Sequence, residues 1–268
     1  MKSVVILQPQ FFPWRGVFEQ IRLADEFVHM DDVQFPQGRH FTTRVQIKTA
    51  SGPLWMTVPV ARHASRIPIA EVAIDYANDW RAKHVRTFEM SYARAPFAAT
   101  ARSIMSDVYA EHPRTIAELD IAALERCAAE LRLKTTFTRA SATPVGGVKS
   151  DRLVNLLRPR GATRYITGHG ALNYLDEAAF TEAGIEVRVM DYTRRPYPQL
   201  HGAFDPHVSI LDLIANLGPD AAAALESRAI PWRDAIATEM PHGEDGAARA
   251  TCHPEPVEGS ATMQAAAS

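Results

Sequence analysis

Histidine and aspartate side chains that could transfer protons or bind a metal are grouped between residues 29 and 40. His29, Asp31, Asp32 and His40 supply two imidazoles and two carboxylates, and such ligands can form a facial metal triad. Side chains alternate along a strand, however, so His29 and Asp31 point to one face and Asp32 to the other, which disfavours a metal site. Asp32 is instead predicted to hold a substrate amine or to orient a base.

His84 is the candidate for that base. It follows Trp80 by four residues, so both side chains lie on one face of a predicted helix. An imidazole can accept a proton near neutral pH, which suits a general base. A hydrogen-bonded structural histidine fits the same pattern, and the sequence leaves both roles open.

Two segments are predicted to meet an anionic or carbonyl-bearing ligand. Residues 8–17 follow a buried strand and contain Arg15, so their amides and this cation can receive a phosphate or carboxylate. The segment is neither a Walker A loop nor a Gly-x-Gly-x-x-Gly motif. Residues 165–171 leave a second strand through two glycines, which permit close backbone approach to a ligand. Arg39, His40 and Arg44 are predicted to pair with Asp32 or to hold an anion.

Strands and helices alternate along most of the chain. Apolar runs predict strands at residues 3–8, 27–30, 44–48, 54–60, 69–74, 135–139, 164–167 and 185–190. Helical spacing predicts helices at residues 17–23, 79–92, 96–109, 116–131, 151–157, 172–183 and 209–217. We therefore predict an α/β fold with a mainly parallel Rossmann-like sheet, helices on both faces and an additional antiparallel β-hairpin in the N-terminal half.

Charge is distributed unevenly along the 268 residues. Residues 233–268 hold six acids, two bases and no aromatic residue, so the preceding 232 residues hold 27 bases and 25 acids. A segment so poor in large apolar side chains cannot offset its ordering entropy. We predict one domain at 1–232, divisible into lobes at 1–110 and 111–232, and a disordered acidic tail at 240–268.

Composition excludes several classes of protein. The two cysteines, Cys127 and Cys252, are too few for a disulfide framework, and Cys127 is predicted to be a core residue. A net charge of −2 argues against nucleic-acid binding through phosphates. The longest apolar run has only five residues, so we predict no membrane insertion and a cytoplasmic location.

Six motifs, which occur in order between about residues 3 and 218, resemble those of the WbqC-like family. They are Gln8-Pro9 through Gly16-x-Phe18, Asp31-Asp-Val-Gln-Phe35, Trp80-x-x-Lys-His84, Tyr165-Ile-Thr-Gly-His-Gly-Ala-Leu-Asn-Tyr-Leu-Asp176, Tyr197-x-Gln199, and Ser209-Ile-Leu-Asp-Leu213 followed by Gly218. The chain departs from the family pattern by Gln10, where an aromatic is usual, and by Thr43 and Val45, where asparagine on both sides of Arg44 is usual.

The resemblance implies a role in building bacterial polysaccharides. Members occur in gene clusters for O-antigen, other polysaccharides and secondary metabolites, and one has been proposed to transfer glycine to an amino sugar. The matched motifs carry over the following site residues: Gln8, Gly16, Asp32, Gln34, Arg44, Trp80, His84, Gly168, Tyr197 and Gln199. Residue type and loop position add Arg15, His169 and Gly170.

From the residues and the resemblance together we predict an acyl or aminoacyl transferase. The enzyme would transfer an acyl or aminoacyl group, such as a glycyl-like group, from a thioester to the amine of a nucleotide-linked amino sugar. His84 and Asp32 are the predicted catalytic pair. Arg15 and Arg44 are predicted to bind the diphosphate, and the Gly168 and Gly170 amides to stabilise the oxyanion. The other matched residues are predicted to bind substrate.

The sequence also bears on the acyl donor and leaves two alternative functions open. No nucleophilic cysteine or Gly-x-Ser-x-Gly elbow is present, which favours direct transfer from coenzyme A or an acyl carrier protein. No bound cofactor and no metal are predicted. The alternatives are a nucleotidyl- or adenylyl-transfer enzyme with an N-terminal nucleotide site, and a non-catalytic assembly protein of the same pathway.

Overall fold

The structure is a computed structural model that describes residues 1–239. The predicted tail at 240–268 lies outside the described residues. The strands are β1 Ser3–Leu7, β2 Glu26–His29, β3 Arg44–Thr49, β4 Gly52–Thr57, β5 Thr136–Arg139, β6 Arg164–Thr167, β7 Glu186–Asp191 and β8 Arg228–Pro231. The α-helices are α1 Arg15–Leu23, α2 Trp80–Tyr92, α3 Ala98–Ala110, α4 Ile116–Glu130, α5 Lys149–Leu157, α6 Glu177–Glu182, α7 Ile210–Leu217 and α8 Trp232–Glu239.

Six strands form a central sheet in the order β5-β2-β1-β6-β7-β8. The first five run parallel, and β8 pairs antiparallel with β7. The chain builds outward from β1 through β2 to β5, then crosses to the other side of β1 and continues through β6. The direction of winding therefore reverses between β1 and β6, as in dinucleotide-binding α/β folds. The predicted Rossmann-like sheet is confirmed.

Each face of the sheet is covered by its own core. Val5 and Phe27 point toward the face that packs against α1, α3, α4 and α7. Val4, Ile6 and Val28 point toward the other face, which packs against α5, α6 and α8. Alternate strand residues thus feed two separate apolar layers, and β1 and β2 are buried on both sides.

The predicted hairpin is also confirmed, as a separate two-stranded unit. β3 and β4 pair antiparallel from Arg44↔Thr57 to Thr49↔Gly52. The hairpin belongs to a long insertion between β2 and β5 that also contains α2, α3 and α4. Met56 and Val58 are buried in the core shared with α1, so the insertion packs onto one face of the domain.

The strand predicted at residues 69–74 is wrong. Ile69–Glu71 forms a 3-10 helix that begins after Pro68, and only the isolated bridges Val60↔Ile74 and Ala73↔Thr115 join this segment to its neighbours. Ile69 and Val72 are both buried. Ile69 and Val72 are three residues apart, so one turn of 3-10 helix directs both side chains into the core.

The folded part extends beyond the predicted boundary at residue 232. β8 and α8 were not predicted, and α8 runs to Glu239. Trp232 and Ala235 are buried in the second core, so the end of the described chain is packed against the sheet. Among residues 1–239, no helix has the length and apolar character needed to cross a membrane.

Candidate functional site

Three of the predicted ligand residues, Gln8, Asp32 and Gly168, lie at the carboxyl edge of the sheet. β1 is buried until Leu7 and Gln8, which are partly exposed. Asp32 follows the neighbouring strand β2, and Gly168 follows β6 on the other side. The Met30 amide donates to the Leu7 carbonyl over 2.8 Å, which keeps the ends of β1 and β2 level. Gln8, Asp32 and Gly168 therefore lie at the same carboxyl edge of the sheet, where the direction of winding reverses between β1 and β6. α/β folds bind ligands in the crevice at this position, which is called the crevice below.

Asp31 and Asp32 have different environments at the end of β2. Asp31 is buried and accepts hydrogen bonds from the Ser141 amide (3.0 Å) and hydroxyl (2.7 Å), so it joins the ends of β2 and β5. Asp32 accepts from Arg152 Nη2 over 2.6 Å, whereas its Oδ1 is buried without a partner. Arg152 Nε also lacks a partner. Asp32 thus retains an unused acceptor at the crevice.

Gly16 provides room for Trp14. A Cβ atom on Gly16 would lie 2.3 Å from two carbons of the Trp14 indole. The same indole contacts the rings of Tyr192, at 5.0 Å between centroids, and His207, at 5.2 Å. Gly16 is therefore required by close packing, and Trp14 links the start of α1 to the loop that follows β7.

The turn after β6 is backed by two polar residues that the sequence did not single out. Gln20 Nε2 donates to the Tyr192 hydroxyl over 2.7 Å. A Cβ on Gly168 would lie 3.7 Å from that hydroxyl and 3.9 Å from Gln20 Nε2. His169 is exposed beside them, with its ring 6.1 Å from that of Tyr192. Gln20 on α1 carries no local motif, so only the packing of α1 against β6 identifies it.

Arg15 lies beneath the loop that follows β7. It is 2 % exposed, and its Nη1 donates to the Arg195 carbonyl over 2.7 Å. Its guanidinium carbon lies 5.7 Å from the Tyr197 ring centroid and 5.5 Å from that of Phe204. Nε and Nη2 have no hydrogen-bond partner. Arg15 is thus a buried cation with two spare donors, held between aromatic faces.

Glu19, one helical turn after Arg15, is buried as well. Burial raises its pKa, while Ser227 and Arg15 favour the ionised form. Neither carboxyl oxygen makes a hydrogen bond of good geometry, although Ser227 lies close enough to affect the pKa. Arg15 and Glu19 therefore bring two incompletely paired ionisable groups into the first turns of α1.

His84 lies within an aromatic cluster rather than beside Asp32. Its Nδ1 is 3.0 Å from the Tyr109 hydroxyl, and its ring centroid is 5.2 Å from that of Trp80 and 5.9 Å from that of Phe11. Burial lowers the pKa of His84 to about 4. Asp32 is bonded to Arg152, and no hydrogen bond between described residues joins it to His84. These contacts agree with a hydrogen-bonded structural role for His84, one of the two roles that the sequence left open. Its role as a general base stays a prediction.

Trp80 helps to hold this cluster in place. Asp79 caps α2 by accepting from the Ala82 amide over 3.3 Å, which fixes where the helix begins. Trp80 Nε1 then donates to the Asp75 carbonyl over 3.2 Å, and its ring packs edge-on against Tyr109 at 5.1 Å. Trp80 is almost fully buried.

Tyr197 and Gln199 belong to a buried polar network around Asp212. Tyr197 and Tyr92 each donate a hydroxyl to one Asp212 oxygen over 2.8 Å. Gln199 Nε2 donates to the Tyr197 hydroxyl over 2.9 Å, and Lys48 Nζ donates to Gln199 Oε1 over 3.2 Å. Burial raises the pKa of Asp212, and these hydrogen bonds oppose the rise. The network fastens the loop after β7 to α2, α7 and β3.

Arg44 and His40 lie where the inserted hairpin meets the loop that follows β1. The Phe11 amide donates to the Phe41 carbonyl over 2.9 Å, and the Thr42 hydroxyl donates to the Pro9 carbonyl over 3.1 Å. The Arg44 guanidinium carbon lies 4.2 Å from the Trp55 ring centroid. Gln34, also half-buried, forms an isolated bridge with Pro68 on the same side of the insertion.

The residues considered for a metal site have separate partners. His29 Nε2 lies 3.1 Å from Glu125 Oε1, and its ring packs between those of Phe27 and Phe137. Within residues 1–239, no three His, Cys, Asp or Glu side chains lie together in a way that would hold a metal ion. Cys127 is fully buried, and burial raises the pKa of its thiol.

Comparison with known proteins places the chain in a family. The model of the WbqC-like protein family matches residues 8–224. A Mycobacterium tuberculosis protein named "Uncharacterized protein Rv1507c" is 37% identical over 224 residues, which cover 82% of this chain and 96% of that protein. No solved structure matches the chain. The family match covers β2, β5, β6 and β7 of the sheet, the inserted hairpin, and Gln8, Asp32 and Gly168. The chain belongs to the WbqC-like protein family.

Proposed function

We propose that the protein transfers an acyl or aminoacyl group from a thioester to the amine of a nucleotide-linked amino sugar. The observation that carries the proposal is the strand order, which reverses between β1 and β6 and leaves Gln8, Asp32 and Gly168 after the carboxyl ends of adjacent strands. α/β folds of this strand order bind nucleotides at that position. Family membership is consistent with a role in polysaccharide or secondary-metabolite synthesis.

Asp32 is the residue that would hold the amine. Its Oδ1 is buried without a hydrogen-bond partner, and its Oδ2 is held by Arg152. A carboxylate fixed in this way can accept a hydrogen bond from the amine that attacks and stabilise the positive charge that develops on nitrogen. In dinucleotide-binding folds the acid after the second strand contacts the ligand, which is the place Asp32 occupies.

The transfer needs a proton acceptor near the same edge. The amine nitrogen attacks the thioester carbonyl, a tetrahedral oxyanion forms, and the carbon–sulfur bond breaks to release the thiol as the amide forms. His169 is an exposed imidazole in the turn after β6, whereas His84 is 5 % exposed and its low pKa makes it a weak base. We assign proton acceptance to His169 and oxyanion contact to the amides of the 168–170 turn.

The test is a transfer assay with defined probes. UDP-glucosamine serves as the amine acceptor and acetyl- or glycyl-coenzyme A as donors, and release of free thiol and mass gain of the sugar are measured. Turnover in the wild type is expected to fall by at least about a hundredfold in Asp32→Asn and in His169→Gln. Asp191→Asn is the matched control and should keep full activity, because Asp191 lies at the end of β7 with its side chain 45% exposed and paired with Arg228.

Variants of His84 distinguish the two candidate bases. His84→Gln should retain turnover in proportion to its folded fraction, whereas loss of turnover in a fully folded His84→Gln protein would return the base role to His84. A panel of UDP- and dTDP-linked amino sugars extends the search for the acceptor, and binding of ATP tests the alternative of nucleotidyl or adenylyl transfer. Absence of thiol release and of product with every pair of probes would contradict the proposal.

A further inference from the structure

The inserted hairpin region is basic and contains no acid. Residues 33–70 include Arg39, Arg44, Lys48, Arg62 and Arg66 but no aspartate or glutamate. Lys48 is engaged in the Asp212 network and is bonded to Gln199 and to backbone carbonyls. The other four cations have no acidic neighbour in their own segment. Such a segment produces a positive potential that favours anions.

Within this region, Arg39, His40 and Arg44 form what we call the cationic cluster. Burial lowers the pKa of Arg44, and the Arg39 charge lowers it further. Burial and the Arg44 charge lower the pKa of His40 to about 4. Arg39 and His40 each lie close enough to Arg44 for its charge to act on them, and the two guanidinium groups repel each other. The ion pairs found among residues 1–239 include none of the three.

Two nitrogens of the cationic cluster are buried without a hydrogen-bond partner. They are Arg44 Nε and His40 Nδ1. A buried polar nitrogen left unpaired costs free energy, so a ligand that pairs with Arg44 Nε and His40 Nδ1 would be favoured at this position. An anion would accept hydrogen bonds from these donors and reduce the repulsion between the cations.

Aromatic rings fix the cationic cluster in place. The Arg44 guanidinium stacks on Trp55 at 4.2 Å, and the Phe35 ring packs edge-on against His40 at 4.8 Å. A stacked guanidinium has lost most of its freedom before a ligand arrives, so binding costs little additional side-chain entropy. Trp55 is 39% exposed, so the cluster opens to solvent.

We propose that Arg39, His40 and Arg44 form a phosphate-binding site at the rim of the crevice, on the inserted hairpin. The identity of the ligand rests on the proposed function, because both a nucleotide-linked sugar and coenzyme A carry phosphate esters, but anion binding itself does not depend on it. Phe41 and Thr42 are hydrogen-bonded to the loop after β1, which places the site beside the crevice.

The test measures binding of three probes by isothermal titration calorimetry at low salt. Pyrophosphate reports the shared chemistry, UDP represents the nucleotide-sugar source and coenzyme A the donor. We expect the wild type to bind at least one of them, and Arg44→Gln and His40→Gln to weaken binding by at least about tenfold, which is the usual effect of removing a charge-assisted hydrogen bond. Stronger binding of UDP or of coenzyme A identifies the source of the phosphate.

Controls separate this site from general basicity and from loss of fold. Arg62→Gln removes an exposed cation of the same segment and should change affinity by less than about twofold. Thermal unfolding identifies any variant that fails to fold, and a ligand-induced change in tryptophan emission should disappear in Trp55→Phe. Absence of binding of all three probes to the wild type, or equal affinities of Arg44→Gln and Arg62→Gln, would overturn the proposal. Failure of the transfer assay alone leaves these binding results standing.

Discussion

The Trp14 indole lies over the Cα of Gly16, and a Cβ there would be 2.3 Å from two of its ring carbons. This contact explains why glycine is needed at the second residue of α1. The helical backbone there is one that any residue can adopt, so the requirement is steric. The indole in turn packs on Tyr192 and His207, so the start of α1 and the loop after β7 are held together by one ring.

Substituting Gly16 with alanine should displace Trp14. The overlap is removed only if the indole moves away from Tyr192 and His207, and we expect a loss of about 1–3 kcal/mol in the free energy of unfolding. Urea denaturation monitored by tryptophan emission measures both effects. Gly146→Ala is the control, because nothing lies within 4 Å of a Cβ there. Equal stability of the two variants would refute the packing explanation.

Removing the hydroxyl of either Tyr92 or Tyr197 from the Asp212 network should destabilise the fold. Tyr92→Phe removes the hydroxyl that donates to Asp212 Oδ2, and Tyr197→Phe leaves Oδ1 with only the longer hydrogen bond from Asn216 Nδ2 at 3.3 Å. Each should lower the free energy of unfolding by about 1–3 kcal/mol. In a double-mutant cycle, Tyr92→Phe should cost much less in an Asp212→Asn background. Tyr76→Phe, whose hydroxyl binds the Pro113 carbonyl near the surface, should cost less than either. Additive losses in the cycle would show that the two side chains are not coupled.

Regular elements were predictable where the hydrophobic pattern was strong. β1, α4 and the hairpin have clear apolar spacing, and all three were predicted close to their observed bounds. β8 was missed because Arg228–Pro231 is short and ends in proline, and its stability comes from pairing with β7. The segment 69–74 was predicted as a strand because its apolar residues are closely spaced. Ile69, Val72 and Ile74 are buried, but a 3-10 turn rather than a strand directs them into the core.

The sequence predicts the position of a site residue only where that residue directly follows a strand. Asp32 and the 168–170 turn follow parallel neighbouring strands, so their approach to one edge follows from fold class alone. The Tyr92–Asp212 hydrogen bond joins residues 120 positions apart, and no local spacing reveals such a contact. Gln20 and Arg152 were missed for the same reason, since each gains its role from a distant partner.

Asp120 should make the protein less stable as pH rises. It is fully buried on α4, neither carboxyl oxygen has a hydrogen-bond partner, and burial raises its pKa well above the usual 3.8. Above pH 4 the unfolded chain ionises this group while the folded chain keeps it protonated, so stability falls as pH increases. Asp120→Asn removes this dependence.

The unfolding midpoint of Asp120→Asn in urea should therefore rise relative to the wild type between pH 4.5 and pH 8. Asp107→Asn is the control, because Asp107 lies on α3 with its side chain 54% exposed and should follow the wild type at both pH values. An advantage of Asp120→Asn that does not grow with pH would contradict the assignment of a neutral carboxyl group.

His84 should produce the opposite dependence in the acid range. Its pKa is lowered by burial from the usual 6.5 to about 4, so between these values the unfolded chain binds a proton that the folded chain excludes. The free energy of unfolding is therefore highest above pH 6.5 and falls as the pH drops toward 4. The loss between pH 7 and pH 5 is about 2 kcal/mol. His84→Gln should be less stable at pH 7, because it loses ring packing on Trp80, but should show a shallower acid decline. An unchanged slope in His84→Gln would show that His84 does not titrate in this way.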